Sequence, residues 1–223
     1  MISPKTIITI EGNIGVGKTT LIDYIKNNKI FDAEYLYEPI DKWLSLNDSD
    51  NKNILYKFYD DKKKYAYEFQ HIVYYSRAEK LIELCNNSNK NIIFMDRSLG
   101  TDSNVFEKML FDDGFINNIE HSVYKHWDKF INSLIKSKKN LIYLKCDPIA
   151  AYNRMIGRGR KEEINISLEY IQKLHDYHEA WINQEFKNGS NVLILDCNNG
   201  TIQNNIIDKI KLYVTQCINN NNL

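Results

Sequence analysis

The chain has 223 residues, of which 43% are hydrophobic, enough to bury one sizeable core. Its 29 Lys+Arg balance 29 Asp+Glu to a formal net charge of zero. That balance offers no general attraction to nucleic acid or to an anionic membrane, and no apolar stretch is long enough to span a bilayer. Cys85, Cys146, Cys197 and Cys217 are too scattered for a zinc site or a C-x-x-C pair, which points to a reducing compartment.

Met1-Ile2-Ser3-Pro4-Lys5 leads at once into an apolar strand at 5–10, leaving no room for a signal or transit peptide, so a cytoplasmic location is expected. After that strand comes Gly12-Asn13-Ile14-Gly15-Val16-Gly17-Lys18-Thr19-Thr20, in which the Gly12-x-x-x-x-Gly17-Lys18-Thr19 spacing is that of the Walker A loop. Its glycines let backbone N–H groups turn inward around polyphosphate, Lys18 reaches the outer phosphates, and the Thr19 hydroxyl is placed to ligate Mg²⁺. A helix at 17–28, with Leu21, Ile22 and Ile25 on its apolar face, adds its free N–H groups and partial positive charge to the same anion site. ATP or another nucleoside triphosphate, with Mg²⁺, is the expected cofactor set.

Further strands are read at 34–37, 91–96, 141–146 and 191–196. They alternate with helices near 50–60, 65–86, 101–113, 116–137, 147–157, 167–187 and 202–218, and an Asn-rich tail at 219–223 is expected to fray. This alternation is that of βαβ units around a parallel sheet, and it predicts one α/β domain over 1–223. On the helix at 65–86, Gln70 and Arg77 lie two turns apart on nearly the same side.

Ligands in such sheets gather at the carboxyl ends of the strands. Glu38-Pro39-Ile40-Asp41-Lys42-Trp43 follows the second strand, Asp96-Arg97-Ser98 the third, and Arg154-x-x-x-Arg158-Gly159-Arg160-x-Glu162-Glu163 lies past the helix after the fourth. Tyr59 and Gln70 precede the third strand. A carboxylate, an arginine beside it and three further arginines around a phosphate loop are what phosphoryl transfer needs, because its catalysis is positioning plus neutralisation of developing charge. The pattern implies a kinase.

Several segments, in order and spacing, resemble the deoxynucleoside kinase family from Ile7 to about Asp196. They are Ile10-Glu11-Gly12-Asn13-Ile14, Glu38-Pro39 with Trp43, Tyr59, Phe69-Gln70 with Ser76-Arg77, Asp96-Arg97-Ser98, Arg158-Gly159-Arg160-Lys161-Glu162-Glu163, and Leu168-Glu169-Tyr170 through Trp181. The resemblance implies a P-loop kinase fold with a five-stranded parallel sheet flanked by helices, a helical lid at about 154–166, a deoxynucleoside substrate and a homodimer. Glu38 is similar to the family's general base, and Arg97 to the arginine that pairs with it. Asp96 sits where relatives carry Glu or Asp near the Mg²⁺ site, an ordinary salt bridge being the alternative. Arg154, Arg158 and Arg160 match the lid arginines, for which bidentate bonding to phosphate is the relevant chemistry.

The same resemblance gives Tyr59 and Glu163 to the sugar 3′-hydroxyl, Gln70 to the base edge, and Trp43, Phe69 and Phe106 to the walls around the nucleoside. Arg77 and Asp102 match a charged pair in the base pocket of deoxycytidine and deoxypurine kinases. An acidic acceptor held by arginine suits a base with an exocyclic amino group and leaves no room for the thymine methyl. A thymidylate or other nucleoside monophosphate kinase would carry an arginine before the Glu-Pro and an aromatic residue after the Asp-Arg, where this chain has Tyr37 and Ser98. A non-enzymatic nucleotide switch would have no use for Gln70, Tyr59 and Glu163 at these spacings.

Overall fold

A computed structural model of the chain describes residues 5–135, 137–160, 163 and 165–221. Five strands, β1 (Thr6–Glu11), β2 (Glu34–Leu36), β3 (Ile92–Asp96), β4 (Asn140–Lys145) and β5 (Asn191–Asp196), form one sheet in the order β2-β3-β1-β4-β5. Every pairing is parallel. The fold is therefore the expected α/β one, with the strands within a few residues of their predicted positions. β1 is buried along its whole length, with Ile8 and Ile10 packing against Leu21, Ile22, Ile206 and Ile210 in the largest core cluster. Replacing any of these isoleucines with alanine should cost about 2–5 kcal/mol.

Register places the site. Ile10 on β1 pairs with Asp96 on β3, and Leu36 on β2 pairs with Met95. The residues just past these pairs, in the phosphate loop, at Glu38 and at Arg97, therefore emerge side by side at the carboxyl edge. The chain builds β2 and β3 on one side of β1 and then crosses to the other for β4 and β5, which opens a crevice at that edge.

Ten α-helices and one π turn surround the sheet among the described residues. They are α1 (Lys18–Asn27), α2 (Ile40–Ser45), α3 (Ile54–Asp60), α4 (Lys62–Asn87), α5 (Leu99–Thr101), a π turn (Asp102–Phe106), α6 (Glu107–Asp112), α7 (Asn118–Leu134), α8 (Pro148–Arg158), α9 (Leu168–Lys187) and α10 (Asn204–Asn221). Three expectations need correction. The helix read at 101–113 is interrupted by the π turn, α2 was not anticipated, and the helix read from 50 begins only at Ile54, after Asn53 caps it by accepting from the Tyr56 N–H. The tail also differs: α10 continues to Asn221, and Lys138 Nζ donates to the Asn220 carbonyl. Asn222 and Leu223, the leader Met1–Pro4, and Lys161, Glu162 and Ile164 of the expected lid lie outside the described residues.

Candidate active site

The phosphate loop turns through positive φ at Gly12, Gly15 and Gly17. At Gly15 a side chain is excluded outright, since a Cβ would overlap the Ala151 carbonyl oxygen. Asn13 fixes the loop from inside: its Oδ1 accepts from the Ile14 N–H and its Nδ2 donates to the Ile171 carbonyl, both at 2.8 Å. Gly17 caps α1, whose first residue is Lys18. Val16 is buried in the core, and Thr20 is exposed beside Thr19.

Lys18 Nζ donates to the carbonyls of Gly12 (3.1 Å) and Asn13 (2.8 Å). Burial, reinforced by the Arg97 charge, lowers its pKa to about 7 against the opposing pull of Asp96, Glu38 and Glu11. A buried ammonium that is hard to keep charged wants an anion. Thr19 Oγ1 donates to Asp96 Oδ2 at 2.6 Å, while Asp96 Oδ1 is buried with no hydrogen-bond partner among the described residues. A hydroxyl and a carboxylate with one oxygen still unbonded fit Mg²⁺, which binds one or two protein oxygens and keeps waters and substrate phosphates as its other ligands.

Glu38 stands across from this loop. Arg97 Nη1 donates to its Oε1 at 2.6 Å, and Arg77 Nη2 reaches the same oxygen at 3.3 Å. Burial raises the Glu38 pKa, but Arg97, Arg77 and Lys18 outweigh it and hold the carboxyl at about 2. Glu38 is thus ionised throughout the neutral range. Arg97 has φ +63°, its N–H donates to the Ile10 carbonyl, and its guanidinium lies 5.0 Å from the Phe106 ring centroid. Its Nε and Nη2 are buried without hydrogen-bond partners among the described residues, two donors left for a ligand.

Arg77, 1% exposed, is held by Asp102 through Nε to Oδ2 (2.8 Å) and donates through Nη1 to the Asp96 carbonyl (2.6 Å). Burial pushes the Asp102 carboxyl up and Arg77 opposes it. Gln70, on α4 with Arg77, has a buried Oε1 without a hydrogen-bond partner among the described residues. Trp43 donates from Nε1 to Ser76 Oγ (3.0 Å) and meets Phe69 edge-on, while Phe69 stacks on Phe58 at 4.5 Å.

These side chains enclose a cavity of ≈ 390 Å³ lined by Ile14, Gly15, Lys18, Thr19, Glu38, Trp43, Tyr59, Phe69, Gln70, Arg77, Asp96, Arg97, Asp102, Phe106, Arg158, Arg160 and Glu163. Its size and its mix of aromatic walls with a few convergent polar groups suit a small organic substrate. Arg158 Nη2 donates to both carboxylate oxygens of Glu163 (2.6 and 2.8 Å), and Arg160 lies 3.7 Å from the same carboxylate. Arg154 is the exception among the three expected lid arginines. It turns to the loop after β5, donating to the Cys197 and Asn198 carbonyls, and does not line the cavity. The cavity also includes Ile40, Asp41, Leu55 and Val73, which sequence reasoning did not assign to the site. Val73 could have been found, being one helical turn beyond Gln70.

A helix-capped phosphate loop facing a carboxylate and two buried arginines, with a substrate-sized cavity between, defines a phosphotransferase of the P-loop kinase class. A family model described as deoxynucleoside kinase matches residues 8–218. The chain is 34% identical over 220 residues to a probable deoxycytidine kinase of Fowlpox virus (strain NVSL), covering 93% of this chain and 89% of that one. It is 32% identical over 239 residues to deoxycytidine kinase 2 of Gallus gallus, covering 93% and 90%. To the mitochondrial deoxyguanosine kinase of Xenopus laevis it is 29% identical over 210 residues, covering 84% and 79%. The chain belongs to the deoxynucleoside kinase family, and it is an enzyme.

Proposed function

We propose that the enzyme transfers the γ-phosphoryl group of ATP, or of another nucleoside triphosphate, to the 5′-hydroxyl of a deoxynucleoside. It favours deoxyadenosine, deoxyguanosine and deoxycytidine over thymidine and serves nucleotide salvage. The observation that carries this reading is Glu38, an ionised carboxylate gripped by Arg97 and Arg77 in a nucleoside-sized cavity that opens onto Lys18.

Glu38 accepts the proton of the 5′-hydroxyl and Arg97 orients both. A carboxylate with a pKa of about 2 is a weak base, which suits a loose transition state in which the proton leaves late. Lys18 and the α1 N-terminus hold the donor phosphates, and Arg97, Arg158 and Arg160, which line the cavity, neutralise the transferred group. Thr19 and Asp96 would hold Mg²⁺, which when bound neutralises charge on the phosphates. Tyr59 and Glu163 bind the sugar 3′-hydroxyl, Gln70 bonds the base edge, and Trp43, Phe69 and Phe106 form the walls. Asp102, fixed by Arg77, accepts from an exocyclic amino group.

Transfer to a monophosphate is the competing reading. It predicts an arginine immediately before Glu38, and that position is Tyr37, whose hydroxyl donates to Asp23 at 2.7 Å. Turnover measured on a panel of deoxynucleosides and their monophosphates separates the two. Phosphorylation of monophosphates alone would overturn the proposal.

A homodimer is supported by α7, where Ile119, Val123, Trp127, Phe130 and Leu134 form an exposed apolar stripe. Sedimentation of wild type against Trp127→Glu tests it, with a monomeric wild type as the contrary result. A cytoplasmic location is consistent with four free, buried cysteines. Among the described residues no helix is long and apolar enough to cross a membrane.

A further inference from the structure

The inner face of α7, opposite its apolar stripe, carries a polar cross-brace that reaches the two elements bearing Arg77 and Asp102. Lys125 Nζ donates to the Ser103 carbonyl (2.9 Å) and to Ser103 Oγ (2.7 Å). Ser103 follows Asp102 in the π turn and is 1% exposed. The carbonyl is available because the Glu107 N–H bonds to Asp102 O, five residues back, rather than to Ser103 O, four back. Lys125 supplies the hydrogen bond that the helix gives up there.

One turn along α7, Asp128 joins the same hydroxyl to α4. Its Oδ2 accepts from Ser103 Oγ at 3.1 Å and its Oδ1 from Tyr74 OH at 2.7 Å. Tyr74 is buried, three residues before Arg77. Asp128 therefore clamps the neighbour of Asp102 to a residue one turn from Arg77. The separation of the two helical segments at that point sets whether Arg77 Nε and Asp102 Oδ2 meet at 2.8 Å. Glu107 adds a second tie from the same segment, through Oε1 to His121 Nδ1 at 2.7 Å.

We propose that Lys125 and Asp128 are positioning residues for nucleobase selection: without touching substrate, they hold the π turn against α4 so that Asp102 presents its carboxylate to the base. This rests on the reading that the Arg77–Asp102 pair faces the base.

The test uses Lys125→Met, which keeps the aliphatic stem and loses the donor, with Lys125→Arg as the conservative variant and Asp128→Ala as an independent break of the brace. For Lys125→Met and Asp128→Ala, KM for the preferred deoxynucleoside should rise about tenfold, with kcat within about twofold and the KM for ATP unchanged. The preference over thymidine should narrow by a similar factor. Lys125→Arg should restore the preference. A uniform loss with all four deoxynucleosides, or an unchanged preference in both variants, overturns the proposal, whatever the change in thermal midpoint. Asp102→Asn run in parallel separates the failures. If it alters the ranking of bases and the α7 variants do not, only the positioning role falls; if it too leaves the ranking intact, the base-pocket reading falls and takes this inference with it.

Discussion

A single guanidinium, that of Arg77, bonds Asp102 through Nε at 2.8 Å and reaches Glu38 Oε1 through Nη2 at 3.3 Å. The proposed base selector and the proposed catalytic carboxylate are thus coupled through one side chain. Arg77→Met with Asp102→Ala should open the pocket toward thymidine while also lowering kcat, because Glu38 loses one of its two arginines. Arg77→Met alone strands the Asp102 carboxyl, 1% exposed, and Asp102→Ala alone leaves the equally buried Arg77 only Glu38 as a carboxylate partner, so the double variant should be better than additive by about 1–3 kcal/mol. Kinetics of the four enzymes with four deoxynucleosides measure the coupling; additive effects would remove the pair as selector.

Glu38→Gln keeps the shape and loses the proton acceptor. It should cut kcat about 10²-fold or more while nucleoside binding survives. Quenching of tryptophan fluorescence on binding, with Trp43 in the cavity wall, reads binding separately from turnover. Unchanged kcat would take Glu38 out of the mechanism.

As the proposed phosphate ligand, Lys18 should make nucleotide binding depend on pH. Its folded pKa of about 7 lies below the unfolded value of 10.5, so between these pH values the unfolded chain holds more protons and stability rises with pH. Bound polyphosphate reverses the depression, so ATP binding at pH 8 should take up a proton. Calorimetry in two buffers of different ionisation enthalpy should show an uptake approaching about one proton for wild type and almost none for Lys18→Arg, whose guanidinium stays charged. No uptake in wild type would mean that Lys18 is already charged in the free enzyme.

Tyr59→Phe should weaken deoxynucleosides more than their 3′-deoxy analogues, since only the former lose a partner at that position. Equal losses in KM would make the hydroxyl structural.

The phosphate loop and the five strands were legible because each rests on short-range rules, whereas the Glu38–Arg97 pair was expected from the family resemblance. Glycine spacing defines the loop, apolar runs define buried strands, and the ends of parallel strands bring their loops together. The π turn was not legible: one extra residue in a turn leaves the apolar spacing from Val105 to Met109 still helical, and the Arg77–Asp102 and Lys125–Ser103 bonds that accompany it join residues 22 or more positions apart. Arg154 shows the opposite limit. Its spacing from Arg158 puts both on one face of α8, yet the carbonyls of Cys197 and Asn198 capture it, a contact between residues more than 40 positions apart that no local pattern carries. α2 escaped because a helix of six residues is too short to show a period.

Arg97 sits at φ +63°, a left-handed conformation that costs an arginine about 1–3 kcal/mol and a glycine almost nothing. Two demands therefore pull on one position in opposite directions. A library randomised at 97 and sorted for thermal resistance should drift toward glycine and asparagine. The same library sorted for turnover should keep arginine, because the backbone twist that a folding chain would shed is what turns the guanidinium toward Glu38.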